Sequence, residues 1–344
     1  MHETGKPILE ILKGNRPEQI PIWLMRQAGR YLPEYRSLRS KAKDFLNLCL
    51  TPEWASEITL QPIRRFDFDA AIIFADILLV PLALGQKLEF REGEGPVLEA
   101  ITNESTIASL SYDERKISPV FESFARVKKE LPSKTSLIGF CGGLWTVACY
   151  MIDGNSKNGF AEAKIWAKEK PESLGKLINI LLETSADYLS GQIKAGAEII
   201  QIFDSWAGLL EGENFSRWVI EPTRELVKRV KAKHPHVPII GFPREARKNY
   251  RDYIFKTGVD AVSIDQHVDL DYAKSQLQTI KPLQGNLDPA VLVKGGQEMK
   301  NAAAKILNTL GPKHIFNLGH GVTPDVPPEH VAELVKFVRE FKAA

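Results

Sequence analysis

Between Trp23 and Arg36 the chain reads WLMRQAGRYLPEYR, which gathers Arg26, Arg30 and Arg36 around the single glycine Gly29, with Arg39 following. A guanidinium is a planar fork that grips a carboxylate or phosphate with two hydrogen bonds and stays charged at any working pH. Gly29 lets the backbone turn tightly and approach a ligand. Arg26 and Arg30 are therefore read as anion-binding ahead of Arg36 and Arg39; the alternative is structural ion pairing with Glu34 or Asp44. Asp76 stands in IIFADILLVP, between Ile72, Ile73 and Phe74 on one side and Ile77, Leu78 and Leu79 on the other. A carboxylate in such surroundings is partly desolvated unless something pairs with it. It can accept N–H groups of a ligand, stabilise a cation forming on a substrate, or simply cap the next segment. Tyr150 in LWTVACYMI, Ser205 after EIIQIFD and His320 between two glycines in NLGHGVTPD complete the candidates, each with a plainer reading as core aromatic, cap or backbone-bonded loop residue. No GxSxG marks a hydrolase serine, and neither GFCGG nor GHG matches a phosphate-loop pattern.

These residues follow short apolar runs that alternate with amphipathic segments. The runs are IPIWL (20–24), AAIIFAD (70–76), SLIGFCG (136–142), EIIQIFD (198–204), PIIGFP (238–243), DAVSID (260–265), PLQGNLD (282–288) and HIFNLGH (314–320). Continuous runs of this kind suit parallel strands buried on both faces. Between them, Ile117, Val120, Phe121, Phe124 and Val127 repeat with helical period, as do Leu174, Leu177, Ile178 and Leu181, and Val331, Leu334, Val335, Val338 and Phe341. Thr51-Pro52 and Pro327-Pro328 read as helix starts. Eight strand–helix alternations predict an α/β protein built as a single (β/α)8 barrel over residues 1–344, with a doubly wound open sheet as the rival. Residues 77–112 are long for a loop, and QKLEFREGEG within them predicts a small extra hairpin. In a barrel the site lies where the strands end. Those ends release Arg26 and Arg30, Asp76, the glycines before Trp145 and Tyr150, Asp204 with Ser205, Arg244, Asp265 with His267, Asn286 with Asp288, and Asn317 with His320.

Composition narrows the function class. Lys and Arg number 45 against 43 Asp and Glu, a net charge of +2, which argues against a general nucleic-acid binder and makes the arginine cluster a local feature. Cys49, Cys141 and Cys149 lack the spacing of a zinc site or a disulfide framework and are read as reduced thiols. The sequence shows no signal-peptide pattern and no membrane-spanning run, so a soluble cytoplasmic protein is expected.

The segments PIWLMRQAGRYLPEYR, LQPIRRFDFDAAIIFADILLVPLALG, IGFCGGLWTVACYMIDG, LQGNLDP and NLGHGVTPDVPPEHV together resemble the uroporphyrinogen decarboxylase family, in its order and over nearly the whole chain. The resemblance implies a (β/α)8 barrel, usually a homodimer. Its implied activity removes CO2 from the four acetate arms of uroporphyrinogen III to give coproporphyrinogen III in porphyrin and heme biosynthesis. No metal or organic cofactor is called for, because a protonated pyrrole serves as its own electron sink. On the matched motifs, the segment Arg26, Gln27, Ala28, Gly29 and Arg30 binds substrate carboxylates and Arg39 lies near the pocket. Asp76 accepts the pyrrole N–H groups and stabilises the ring cation; Tyr150, Ser205 and His320 are polar pocket residues, and Phe203 lines the apolar wall. Arg26, His320 and water relayed through Tyr150 are all candidates for the proton donor, a guanidinium being a very weak acid. The chain departs from the family at Cys141, Gly143 and Leu144 and at Gln266-His267, which bears on pocket shape. The rivals are a corrinoid- or zinc-dependent methyltransferase of the same superfamily, which would need clustered His and Cys ligands, and a non-catalytic tetrapyrrole carrier.

Overall fold

A computed structural model describes residues 5–91 and 93–342. Seven parallel strands lie side by side: β1 (Ala70–Ile72), β4 (Ser136–Gly142), β5 (Ile199–Asp204), β6 (Ile239–Pro243), β7 (Ala261–Ser263), β8 (Leu283–Leu287) and β9 (His314–Leu318). Their pairing follows chain order, and helices such as Ser118–Glu130, Pro171–Lys194, Glu221–Lys233 and Gly296–Leu310 connect them. β2 (Leu88–Arg91) and β3 (Gly95–Leu98) form the separate antiparallel hairpin expected after the second run.

The first apolar run closes the circle. Ile22 bridges Phe316 of β9 in parallel, with the Phe316 N–H donating to the Pro21 carbonyl at 2.8 Å. On its other side the Asp69 N–H donates to the Ile22 carbonyl at 3.0 Å, just ahead of β1. The Ile22 N–H goes instead to the Asp69 side chain at 2.7 Å, so a carboxylate replaces one rung of the ladder and the run is a single bridge rather than a full strand. Arg339 on the last helix, Pro328–Glu340, pairs with that carboxylate at 2.8 Å and fastens the seam. With this segment as its first stave the sheet is an eight-membered closed ring, and the open-sheet rival is set aside.

The barrel interior is filled, as the fold requires. Every residue of β4, β6, β8 and β9 is buried. One layer is polar but internally satisfied: Trp23 Nε1 donates to Gln284 Oε1 at 2.8 Å, and Gln284 Nε2 donates to Ser263 at 2.6 Å and Gln201 at 3.1 Å. Thr51 precedes the helix Pro52–Phe66, but its hydroxyl donates backwards to the Asn47 carbonyl at 2.7 Å and does not cap it. Proline at the first helical position carries that start, its missing N–H being one the helix cannot use. Cys49, Cys141 and Cys149 are buried free thiols. Among the described residues no helix is long and apolar enough to cross a membrane.

Candidate active site

The first stave delivers the arginine loop to the C-terminal mouth of the barrel, and hydrogen bonds from distant residues hold it there. The Met25 N–H donates to Asn317 Oδ1 at 3.0 Å, and the Val322 N–H to the Met25 carbonyl at 2.8 Å. Arg26 is exposed, with φ of 60° in the left-handed region that non-glycine residues seldom adopt. Gln27 is fully occupied: its side chain accepts from the Leu24 N–H and donates to the Ala70 carbonyl, and its own carbonyl accepts from the Tyr31 hydroxyl. The Gln27 side chain is thus a strut, not a free ligand group. Ala28 and Gly29 are half-buried and Arg30 is exposed, and no partner is found among the described residues for the backbone N–H of any of the three. Successive free N–H groups of this sort form an anion-binding concavity.

The structural alternative for the arginines falls elsewhere. Glu34 pairs with Arg65 at 3.1 Å, and Asp44 caps the helix Phe45–Cys49 through the Asn47 N–H at 2.7 Å. Neither Arg26 nor Arg30 forms an ion pair among the described residues, whereas Arg36 braces the loop by donating to the Arg30 and Tyr31 carbonyls. Arg39 makes one long contact, at 3.3 Å, to the Ala42 carbonyl. The charges of Arg39 and Arg30 both act on Tyr35, whose ring packs 5.7 Å from Phe74 beside the Asp76 turn.

Asp76 is half-buried. One oxygen, Oδ1, accepts the Leu78 N–H at 2.8 Å, so the capping reading holds for half of the carboxylate. No hydrogen-bond donor to Oδ2 is found among the described residues. Burial raises the Asp76 pKa above the ordinary carboxylate value, opposed by the Leu78 N–H and the Arg26 charge. Tyr150 comes from the helix Leu144–Asp153, which begins directly after the β4 turn. Its hydroxyl pKa is raised, chiefly by burial, and both Asp76 and Arg26 are close enough to influence it. Behind it, Phe160 packs edge-on at 4.9 Å and meets Trp206 at 5.0 Å. Trp206 is fixed in turn: its N–H donates to Thr146 Oγ1 at 2.9 Å, and that hydroxyl donates to Asp204 at 2.5 Å.

His320 follows β9 between two glycines against which other groups pack closely. A Cβ on Gly319 would lie 2.2 Å from the Gln266 backbone nitrogen, and one on Gly321 would lie 2.3 Å from Arg26 Cδ. Burial, then the Arg26 and Arg244 charges, push the His320 pKa down to about 3. The imidazole is therefore neutral at physiological pH. In the free protein the neutral ring keeps one N–H to donate as a hydrogen bond.

Phe203 on β5 forms the apolar wall with Phe140, edge-on at 5.6 Å, and Phe242 at 6.4 Å. Ser205 is half-buried one residue past the strand, beside it. Four other strand-end polar groups serve the scaffold. Asp265 accepts from the Glu245 and His267 N–H groups and the Tyr250 hydroxyl; Asp288 caps a helix; Asn286 and Asn317 bind backbone. Gln266 and His267 line a separate cavity of about 360 Å³ with Asp288 and Lys305. Sequence reasoning missed Phe45, which packs against Phe74 at 5.6 Å and the hairpin residue Phe90 at 4.5 Å, and missed Trp206 as a support for Tyr150. No sequence signal marks Phe45; Trp206 stands next to Ser205, where a bulky aromatic after a strand end is a weak hint. No group of three or more His, Cys, Asp or Glu side chains is arranged to hold a metal ion among the described residues.

Comparison with known proteins bears on this arrangement. The chain matches the uroporphyrinogen decarboxylase family model over residues 3–341. It is 48% identical over 340 residues to a uroporphyrinogen decarboxylase of Rhodospirillum rubrum, covering 98% of each chain. It is 49% identical over 341 residues to one of Granulibacter bethesdensis, covering 97% of this chain and 99% of that one. Among solved structures it is similar to a methyltransferase from Methanosarcina mazei, with a TM-score of 0.77 at 18% identity over 99% of both chains. A B12-independent methionine synthase from Shewanella is similar at a TM-score of 0.57 and 12% identity, over 84% of this chain and 88% of that one. At those identities the two structural likenesses speak to the fold alone.

Proposed function

Because the chain belongs to the uroporphyrinogen decarboxylase family, we propose that the barrel mouth is where uroporphyrinogen III binds and loses CO2 from its four acetate arms, leaving coproporphyrinogen III. The observation that carries this reading is the juxtaposition of an arginine loop free of ion pairs with a half-buried carboxylate that keeps one oxygen open. Arg26 and Arg30, with the free N–H groups of Ala28 and Gly29, hold substrate carboxylates; Gln27 and Arg36 brace that loop and Arg39 adds charge at the rim. Asp76 Oδ2 accepts pyrrole N–H groups from below the ring. When a pyrrole carbon is protonated, the same oxygen faces a cation, and an electrostatic partner already oriented is worth most at that moment. The electrons of the departing carboxylate flow into the cationic ring to leave a neutral exocyclic methylene; that carbon takes up a proton and the ring carbon gives up its own, so each arm ends with a proton in place of CO2. Tyr150, Ser205 and neutral His320 orient the macrocycle by hydrogen bonds, and the Phe203 wall excludes water behind it. The proton comes from water ordered near Tyr150, from Arg26 or from His320. The proposal extends to a single domain, a homodimer and a cytoplasmic setting.

The test is anaerobic incubation of the purified protein with uroporphyrinogen III, with chromatographic counting of carboxylates on the oxidised products. Stepwise passage from eight carboxylates to four is the expected result. Tight binding without any loss would mark a carrier instead.

A further inference from the structure

The arginines considered so far all come from one side of the mouth. In ring order the staves run from segment 21–24 through β1, β4, β5, β6, β7, β8 and β9. β6 therefore lies diametrically opposite the stave that releases Arg26 and Arg30. A macrocycle with carboxylate arms on every side leaves arms at that far rim, and the residue that ends β6 there is Arg244. Its N–H donates to the Asp204 and Phe242 carbonyls, both at 3.1 Å, which pins its backbone against β5. Its side chain is only 18% exposed, and Nε is buried with no hydrogen-bond partner among the described residues. The Arg244 charge acts on His320, three staves away, as a cation at the barrel mouth would. Arg247, the next cation along the loop, pairs with Glu211 at 2.7 Å and is 67% exposed, so it faces outward.

One terminal nitrogen of Arg244 pairs with the carboxylate of its neighbour Glu245. That glutamate is held in place: its φ is 60°, its N–H donates to Asp265 at 2.8 Å, and a Cβ on the adjoining Gly208 would meet Glu245 Cβ at 2.5 Å. The sequence places Arg244 at a strand end and assigns it no role. Resting on the substrate reading above, we propose that Arg244 is a further carboxylate-binding residue, gripping a side arm of the macrocycle at the rim opposite Arg26 and Arg30. Glu245 occupies it internally until the substrate carboxylate takes that place.

The two residues then have opposite effects, which a merely structural ion pair would not produce. Arg244→Gln raises KM for uroporphyrinogen III about tenfold, the loss of one charge-assisted hydrogen-bonded contact. Glu245→Gln removes the internal competitor and lowers KM severalfold, while Arg244→Gln combined with Glu245→Gln behaves like Arg244→Gln alone. Thermal melts monitored alongside keep any folding defect separate from binding. Wild-type turnover with KM unmoved by Arg244→Gln overturns the Arg244 assignment, and KM unmoved by Glu245→Gln overturns the competitor role of Glu245; both leave the decarboxylase reading standing. A wild-type protein that neither binds nor decarboxylates uroporphyrinogen III removes both.

Discussion

Gly321→Ala isolates the geometry on which the arginine loop depends. The added Cβ would lie 2.3 Å from Arg26 Cδ, 2.6 Å from Cγ and 2.9 Å from Nε. Carbon atoms rest about 3.5–4.0 Å apart, so the arginine stem must swing aside by more than about 1 Å. The Gly321 backbone lies outside the left-handed region, so alanine brings no conformational strain of its own. Its effect on stability should therefore be within about 1 kcal/mol, with a slight gain from a stiffer unfolded chain. A displaced guanidinium loses a charge-assisted contact worth about 1.5–3 kcal/mol, or roughly 10- to 150-fold in kcat/KM. Steady-state assays on uroporphyrinogen III should show that fall while Tm holds. Arg26→Ala should cost about as much, and the double variant no more than Arg26→Ala alone, because both changes remove one contact. Wild-type kcat/KM in Gly321→Ala, or losses that add in the double variant, would refute the idea that this glycine acts through Arg26.

Arg30→Ala should raise KM more than it lowers Tm and should weaken the salt dependence of KM, since fewer ion contacts remain to be screened. Acid stability should reflect His314, fully buried with its pKa pushed down to about 4. Its folded form binds fewer protons than the unfolded chain, so stability falls between about pH 6.5 and 4, by roughly 3 kcal/mol; urea melts of the protein and of His314→Gln across that range should converge at the acid end. Asp204 has the opposite sign. Burial raises its carboxyl to about 6, so the penalty is present above that pH and gone once the unfolded carboxyl is also protonated, below about 3.8. Asp204→Asn should therefore be about 2–3 kcal/mol more stable than the natural protein at pH 8 and no more stable at pH 3.5. Equal stability at pH 8 would mean that Thr146 already compensates the buried charge.

The barrel was legible because its strands are buried on both faces and so spell continuous apolar runs, and because strand ends in such a fold point at one mouth. Arg26, Asp76, Tyr150 and His320 could be placed together on that ground, and the Arg26 charge acts on each of the other three. What the sequence hides is pairing between residues far apart along it. Nothing local says that the Ile22 N–H will take the Asp69 side chain, reducing a strand to a bridge. Nor does anything local mark Gln27 as spent on Ala70, or Asp265 on Glu245 and Tyr250. The two glycines beside His320 are clearances for Gln266 and Arg26, which the motif alone does not say. The neutral state of His320 follows first from burial and then from the charges of Arg26 and Arg244, released by staves far apart in the chain, and only the closed ring brings these together.

Asp76→Asn tests the central claim most directly, because asparagine keeps the Oδ1 acceptor for the Leu78 N–H and removes only the charge. The measurement is single-turnover loss of the first CO2 from uroporphyrinogen III under anaerobic conditions, with binding followed in parallel. If Asp76 stabilises the pyrrole cation, the rate falls by about 100- to 1,000-fold while the substrate remains bound within about tenfold of its natural affinity and Tm is unchanged. A variant that decarboxylates at the natural rate would contradict the account and move the cation's partner elsewhere in the mouth.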